Sequence, residues 1–218
     1  IGRWNLTRLA EALLPLCAQR ARAGHHDDAA LVRRAQALID GFMPRYLAAF
    51  HRQMQAKLAL PTLAPADAAG HQRQQRLVAG WFELLWQHRA DFTQAHRSLI
   101  AAADGDLAPL RAVLATNRDD PSGSADADAL TAWIDQWHHV RGREQRGISE
   151  GLRAANPRLI PRNHHLEHAL TAAGNGDLAP IRSLHAALAE PFNDDPSTAA
   201  YAQAPSPGAW QCRTFCGT

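Results

Sequence analysis

The sequence predicts an all-α protein, on three observations. Apolar residues recur at helical spacing, as in Leu6, Leu9, Leu13 and Leu16, or Leu130, Trp133, Ile134 and Trp137. Short clusters of Gly, Pro, Asp and Asn separate these runs, where helices start and stop. No stretch of useful length alternates apolar and polar positions with β-branched residues, so nothing reads as a strand.

The elements follow in order. Asn5 can cap a first helix running to about residue 23, with Pro15 expected to kink it or end it early. Gly24-His25-His26-Asp27-Asp28 is a turn, and either aspartate can cap a second helix carrying Leu31, Leu38, Ile39, Phe42, Tyr46, Leu47, Phe50 and Met54. Gly41 and Pro44 predict a bend inside it. Leu60-Pro61-Thr62-Leu63-Ala64-Pro65 breaks the pattern, and a third helix is expected from Asp67 to Arg89, with Leu77, Val78, Trp81, Leu84 and Leu85 inward. Asp91 or Thr93 starts a short one. Asp119-Asp120-Pro121-Ser122-Gly123-Ser124 is the clearest internal loop, followed by a helix from Ala129 to Val140. One phrase recurs: Gly105-Asp106-Leu107-Ala108-Pro109-Leu110-Arg111 returns 71 residues on as Gly176-Asp177-Leu178-Ala179-Pro180-Ile181-Arg182. It reads as a reused helix turn, with Gly ending one helix, Asp capping the next and Pro in its first turn.

Composition narrows the function classes. Across 218 residues, 46% hydrophobic and 20% charged, the chain is globular and long enough to bury a core. The net charge of +2 is mild and spread along the chain, with Lys57 the single lysine, which does not argue for nucleic acid. The longest apolar stretches, such as Ala12 to Ala18, are too short to span a bilayer, and no signal-peptide pattern opens the chain. The sequence enters a helical pattern almost at once from Ile1, so it reads as part of something longer. Three cysteines, Cys17, Cys212 and Cys216, make no disulfide framework, and a reducing, cytoplasmic setting is expected.

Motifs for chemistry are missing. No phosphate-cradling glycine loop, nucleophile elbow or kinase catalytic triplet occurs, so no catalytic, cofactor-binding or metal-binding residue is assigned. Among twelve histidines, His25-His26, His138-His139 and His164-His165 are pairs, and His164 and His168 stand four apart on a predicted helix. Two imidazoles so spaced can share a metal, but no third ligand can be named, and solvent-facing histidines account for the pattern. The paired aspartates at 27–28, 119–120 and 194–195 read as turn and cap residues. After Pro191-Phe192-Asn193-Asp194-Asp195-Pro196 the chain is expected to become extended, through Tyr201, Pro205, Pro207 and Trp210 to Cys212 and Cys216. A thiol there can exchange with a partner thiol, or be an incidental surface cysteine; these residues by themselves favour neither.

Several segments resemble, in order, the selenoprotein O-type protein adenylyltransferases. Ile1-Gly2-Arg3-Trp4-Asn5-Leu6 through Pro15 is similar to that family's I-G-[QR]-W-N-L segment, and Lys57-Leu58-Ala59-Leu60 to its K-L-G-L. Asp91-Phe92-Thr93 with Arg97 and Leu99 is similar to D-[YF]-T-x-x-[FH]-R-x-L, and residues 156–163 to N-P-[KR]-Y-[IV]-L-R-N. Pro191 to Pro196 resembles P-[YF]-x-[ED]-x-P, and Cys216-Gly217-Thr218 falls at the family's terminal Cys-Ser-Ser or selenocysteine-Ser-Ser. Leu159 stands for an aromatic, Pro161 for a leucine, and His164-His165-Leu166-Glu167 for Tyr-Leu-Ala-Gln.

The resemblance implies the helical C-lobe portion of a protein-kinase-like fold, residues 1–190, with an extended Pro-rich tail, 191–218. It implies AMP transfer from ATP, with Mg²⁺, to protein hydroxyls, by nucleotide- and metal-binding residues that in the family precede the W-N-L segment. The partners implied are that N-terminal kinase-like part and the protein substrates, and an uncovered apolar face invites self-association. Cys216 matches the family's redox residue, whose partner cysteine lies near the activation segment. A bridge from Cys216 to Cys212 would close a tight loop and is disfavoured by its geometry. The rival expectations are a non-catalytic helical protein-interaction module and a histidine-based metal protein.

Overall fold

The computed structural model describes residues 1–22, 28–115, 124–142 and 147–205; the turn expected at 24–27, most of the loop at 119–124, Trp210, Cys212 and Cys216 lie outside them. Every regular element among the described residues is helical, as the spacing predicts. No helix among them is long and apolar enough to cross a membrane. The chain forms two compact units, Ile1–Gln53 and Met54–Thr218.

Unit 1 holds α1 (Gly2–Arg22), α2 (Asp28–Asp40) and most of α3 (Phe42–Lys57). Arg3 in the first turn of α1 pairs with Asp40 at the end of α2 at 2.8 Å, so the two helices run antiparallel. α1 continues through Pro15. The expected bend falls at Gly41, a single turn residue between α2 and α3, and Pro44 sits in the first turn of α3, where its missing N–H costs little. The leucine stripe of α1 forms but is not buried: Leu9, Leu13 and Leu16 are 46–61% exposed, because no described residue of the unit covers that face.

Unit 2 is built on α4 (Ala68–Gln87), α5 (Phe92–Ala103), α6 (Ala108–Ala115), α7 (Ser124–Arg141), α8 (Ile148–Ala155), α9 (Asn163–Gly174), α10 (Ala179–Ala189) and the single turn α11 (Ala199–Ala202). Asp67 and Asp91 cap α4 and α5, accepting the N–H groups of Gly70 and Gln94 at 2.8 Å each. Both copies of the repeated phrase make the same turn. Gly105 and Gly176 take positive φ, and Asp106 and Asp177 each accept the first N–H of the next helix at 2.9 Å. Two other helices end in the same left-handed turn without glycine. Ala59 (φ 48°) closes α3 and Arg89 (φ 47°) closes α4, with Leu60 N–H reaching Gln55 C=O and Ala90 N–H reaching Leu85 C=O. The chain at 196–202, expected extended, is instead a 3₁₀ turn running into α11. Asp195 accepts Ser197 N–H at 2.9 Å and Pro196 presets the first turn, which starts helical geometry there.

Three indoles make the core of unit 2. Trp81 and Trp133 meet with tilted rings, centroids 4.5 Å apart, and Trp133 and Trp137 stack at 5.8 Å. Gly80 permits the approach, since a Cβ there would lie 3.3 Å from the Trp133 ring. Each buried indole N–H needs an acceptor: Trp133 donates to Leu77 C=O at 3.0 Å, Trp137 to Leu58 C=O at 2.7 Å, and Trp81 to His96 Nε2 at 3.0 Å. Because an indole can only donate, Nε2 of His96 must accept, which puts its proton on Nδ1, where it donates to Phe92 C=O at 2.8 Å. Burial holds this imidazole down to about 4, against a smaller opposing pull from the Phe92 carbonyl and with Lys57 adding to the depression.

Two outcomes follow from these contacts. Ala59→Gly relieves a side chain held in the left-handed region and should raise stability by about 1 kcal/mol, read as a higher denaturation midpoint. His96 is neutral when folded but takes a proton when unfolded, so its contribution is complete above the ordinary histidine pKa of 6.5 and is lost as pH falls towards 4. The melting temperature should drop over that window, and His96→Leu should flatten the drop while lowering stability at neutral pH.

Candidate functional site

The described part of the chain brings three sequence-singled segments together on α5. Asp91, already the α5 cap, is clasped by both ends of the Arg162 guanidinium, at 2.7 and 3.1 Å. The pair is largely buried, with side chains 6% and 17% exposed. Burial alone would raise the Asp91 carboxyl; the hydrogen bonds from Arg162 and from the Gln94 N–H outweigh it and hold the group below its usual range.

Asn156, fully buried, faces Lys57 at the end of α3. Its amide donates to Lys57 C=O at 2.9 Å, and the Lys57 ammonium reaches Asn156 Oδ1 at 3.3 Å and Ala155 C=O at 3.2 Å. Burial lowers the ammonium's pKa. Arg97, nearly two turns beyond the cap, donates to Asn156 C=O at 2.9 Å and forms an ion pair with Asp194. The backbone N–H groups of Arg158 and Leu159 both point at Pro191 C=O, at 2.7 and 3.0 Å. Arg158 also donates to Thr198 Oγ1 at 3.1 Å, and Gln94 to Ala202 C=O at 3.1 Å. Leu159, standing where the family has an aromatic, is 2% exposed and fills the space beneath.

Beside this network lies a groove of 560 Å³ walled by Arg97, Arg153, Arg158, Asp104 and Asp194. Charges of both signs line it, but Arg97 and Arg158 are engaged with protein acceptors and Arg153 lies 3.8 Å from Asp194. The one hydroxyl in its wall among the described residues, Ser98, donates to Ala95 C=O at 2.7 Å. With these side chains bonded to protein acceptors, the geometry there is that of a latch joining α5, the 156–162 strap and the 191–202 turn.

The pairs His138-His139 and His164-His165 do not converge on a shared site, and His25-His26 lies outside the described residues. The rings of His164 and His165 lie 4.0 Å apart, and burial, followed by their mutual repulsion for His164, lowers both imidazoles. His165 is engaged by Ala200 C=O at 3.2 Å and by the Tyr201 ring. Among the described residues no group of three His, Cys, Asp or Glu side chains could hold a metal ion. Cys17 is a free, exposed thiol, and Cys212 and Cys216 lie outside the described residues. Sequence reasoning missed Arg153, the Lys57–Asn156 pairing and the hydrogen bond from Ser149 to Asp104 at 3.1 Å. The only available signal was the presence of Lys57 and Asn156 inside family-like segments.

Comparison with known proteins agrees with the segment resemblance. The chain is 39% identical to the protein nucleotidyltransferase YdiU of a Bradyrhizobium species over 223 residues, covering all of this chain and 40% of that protein. The proteins of the same name from Methylorubrum extorquens and Chromobacterium violaceum are 37% and 38% identical, again over the whole chain and over 41% and 42% of their own lengths. The chain therefore spans about 40% of the curated relatives it matches. The family described as protein adenylyltransferase SelO matches residues 1–189. With most of its length inside that match, the chain belongs to the SelO family of protein adenylyltransferases.

Proposed function

We propose that this chain is the helical C-lobe portion of a kinase-like protein adenylyltransferase, serving AMP transfer from ATP to Ser, Thr or Tyr hydroxyls of proteins as scaffold rather than as chemistry. The observation that carries this reading is its end-to-end match to about 40% of proteins named nucleotidyltransferases. The latch supports it, because the side chains in the family-like segments at 91–97, 156–162 and 191–195 are engaged in holding helices together. ATP and Mg²⁺ belong, on this reading, to residues of the longer protein outside this chain, which alone is inactive. Cys216 and Cys212 are its redox thiols, and the setting is the cytoplasm.

A second reading, a helical protein-interaction module, is favoured by unit 1. Leu6, Leu9, Leu13, Leu38 and Phe42 line an apolar groove of 490 Å³ there. In the longer protein the kinase-like remainder would seat on such a face; without it, two copies of this chain would self-associate through it.

Intact-mass analysis after incubation with Mg·ATP and a protein acceptor tests the proposal, using this chain and a full-length protein containing it. AMP addition by the full-length protein alone is the expected result. AMP addition by the 218-residue chain would contradict the scaffold assignment, and addition by neither would leave the interaction module.

A further inference from the structure

The latch has one tie that stands open to solvent. Asp194, on the turn after α10, has a side chain 57% exposed and faces two guanidiniums, Arg97 on α5 and Arg153 on α8. Arg97 is 14% exposed and commits Nη1 to Arg153 C=O at 3.3 Å and Asn156 C=O at 2.9 Å, which leaves Nη2 for the carboxylate. The bond to Arg153 C=O also holds the two arginines side by side.

The carboxylate serves only one of them well. Arg153 Nε lies 3.8 Å from Asp194 Oδ2, beyond hydrogen-bond range, and its side chain is 49% exposed. A pair so exposed contributes little to stability, so exchanging it for another contact costs little. Arg158 stands on the same 560 Å³ groove, and Ile100 and Val113 add apolar surface that strengthens charge interactions. Three guanidiniums thus meet two carboxylates there. The second carboxylate, Asp104, receives the Ser149 hydroxyl at 3.1 Å. It follows Arg97 along α5 by about 10 Å of helix rise, far enough for solvent to screen it from an anion at Arg97.

An oxyanion larger than a carboxylate suits the spacing of the arginine pair. A phosphate group presents three terminal oxygens and a charge of about −1.5 to −2 near neutral pH, so separate oxygens can meet Arg97 Nη2 and Arg153 together. We propose that Arg97 and Arg153 form a binding site for a phosphate-class oxyanion, which Asp194 fills when no ligand is bound. Ligand binding then displaces Asp194 and removes one of the ties between α5 and the 191–202 turn, while the buried Arg162–Asp91 pair stays closed. The proposal rests on the latch and does not depend on the adenylyl-transfer reading.

Calorimetric titration of the full chain with inorganic phosphate, at an ionic strength held constant with sodium chloride, tests it. If Asp194 fills the site about ten times as often as it leaves it vacant, phosphate binds the unsubstituted chain about tenfold more weakly than it binds Asp194→Asn. Adding Arg153→Met to Asp194→Asn should remove that gain. Arg153→Met alone, at a half-exposed position, should fold with an unchanged melting temperature and bind phosphate about tenfold more weakly than the unsubstituted chain, a comparison that stands even if Asp194→Asn does not fold. A phosphoserine peptide titrated in parallel separates the sources of the group: tighter binding than inorganic phosphate assigns a phosphoryl group carried on a peptide, and equal or weaker binding assigns the free ion. Absence of phosphate binding to every folded chain overturns the proposal. So does an Asp194→Asn variant that gains nothing, or an Arg153→Met variant that binds as the unsubstituted chain does.

Discussion

Three indole N–H groups buried in one core decide how unit 2 is assembled. Each must find an acceptor away from water, and an unmatched one would cost about 1–3 kcal/mol. The acceptors lie on separate elements: the carbonyl after α3, a carbonyl within α4, and an imidazole on α5. Satisfying all three fixes α7 against α4 and the end of α3, and α4 against α5. The His96 tautomer follows from the same constraint, and its reluctance to take a second proton makes the core sensitive to acid.

With α5 so fixed, its first turns present Asp91, Gln94 and Arg97 to the rest of the chain. The 156–162 strap attaches there through the buried Arg162–Asp91 pair, and the 191–202 turn through Arg97 to the exposed Asp194 and through the Gln94 amide. The consequence for function is a division of labour. Segments that mark the chain as a family member engage their polar side chains in architecture, and on the proposed reading the chemistry of AMP transfer falls to residues outside this chain. Unit 1, with its leucine stripe formed but uncovered, fits the same division, since its apolar face suits a neighbouring body.

Much of this was legible from residues alone, for local reasons. The Trp133–Trp137 stripe, the helix starts near Asp67 and at Asp91 or Thr93 and the doubled Gly-Asp-Leu-Ala-Pro turn each depend on spacing within a few residues. What was hidden depends on distance along the chain. Lys57 with Asn156 and Arg97 with Asp194 are nearly 100 residues apart, and no pattern in one segment names its partner in the other. The α1 stripe announced a helix but not its exposure, because periodicity shows which face is apolar and not what covers it. The left-handed turns at Ala59 and Arg89 escaped notice because neither residue advertises that conformation as glycine does.

A double-mutant cycle on the latch tests the division of labour most directly. Asp91→Ala, Arg162→Met and the double variant would be compared by denaturant unfolding. Asp91→Ala strands a buried guanidinium and should cost about 3–5 kcal/mol, more than Arg162→Met, which leaves Asp91 its Gln94 N–H. The double variant should recover part of that loss, giving a coupling of about 2 kcal/mol or more. Additive losses, within about 0.5 kcal/mol, would mean that the two groups do not hold the fold together and would contradict the latch.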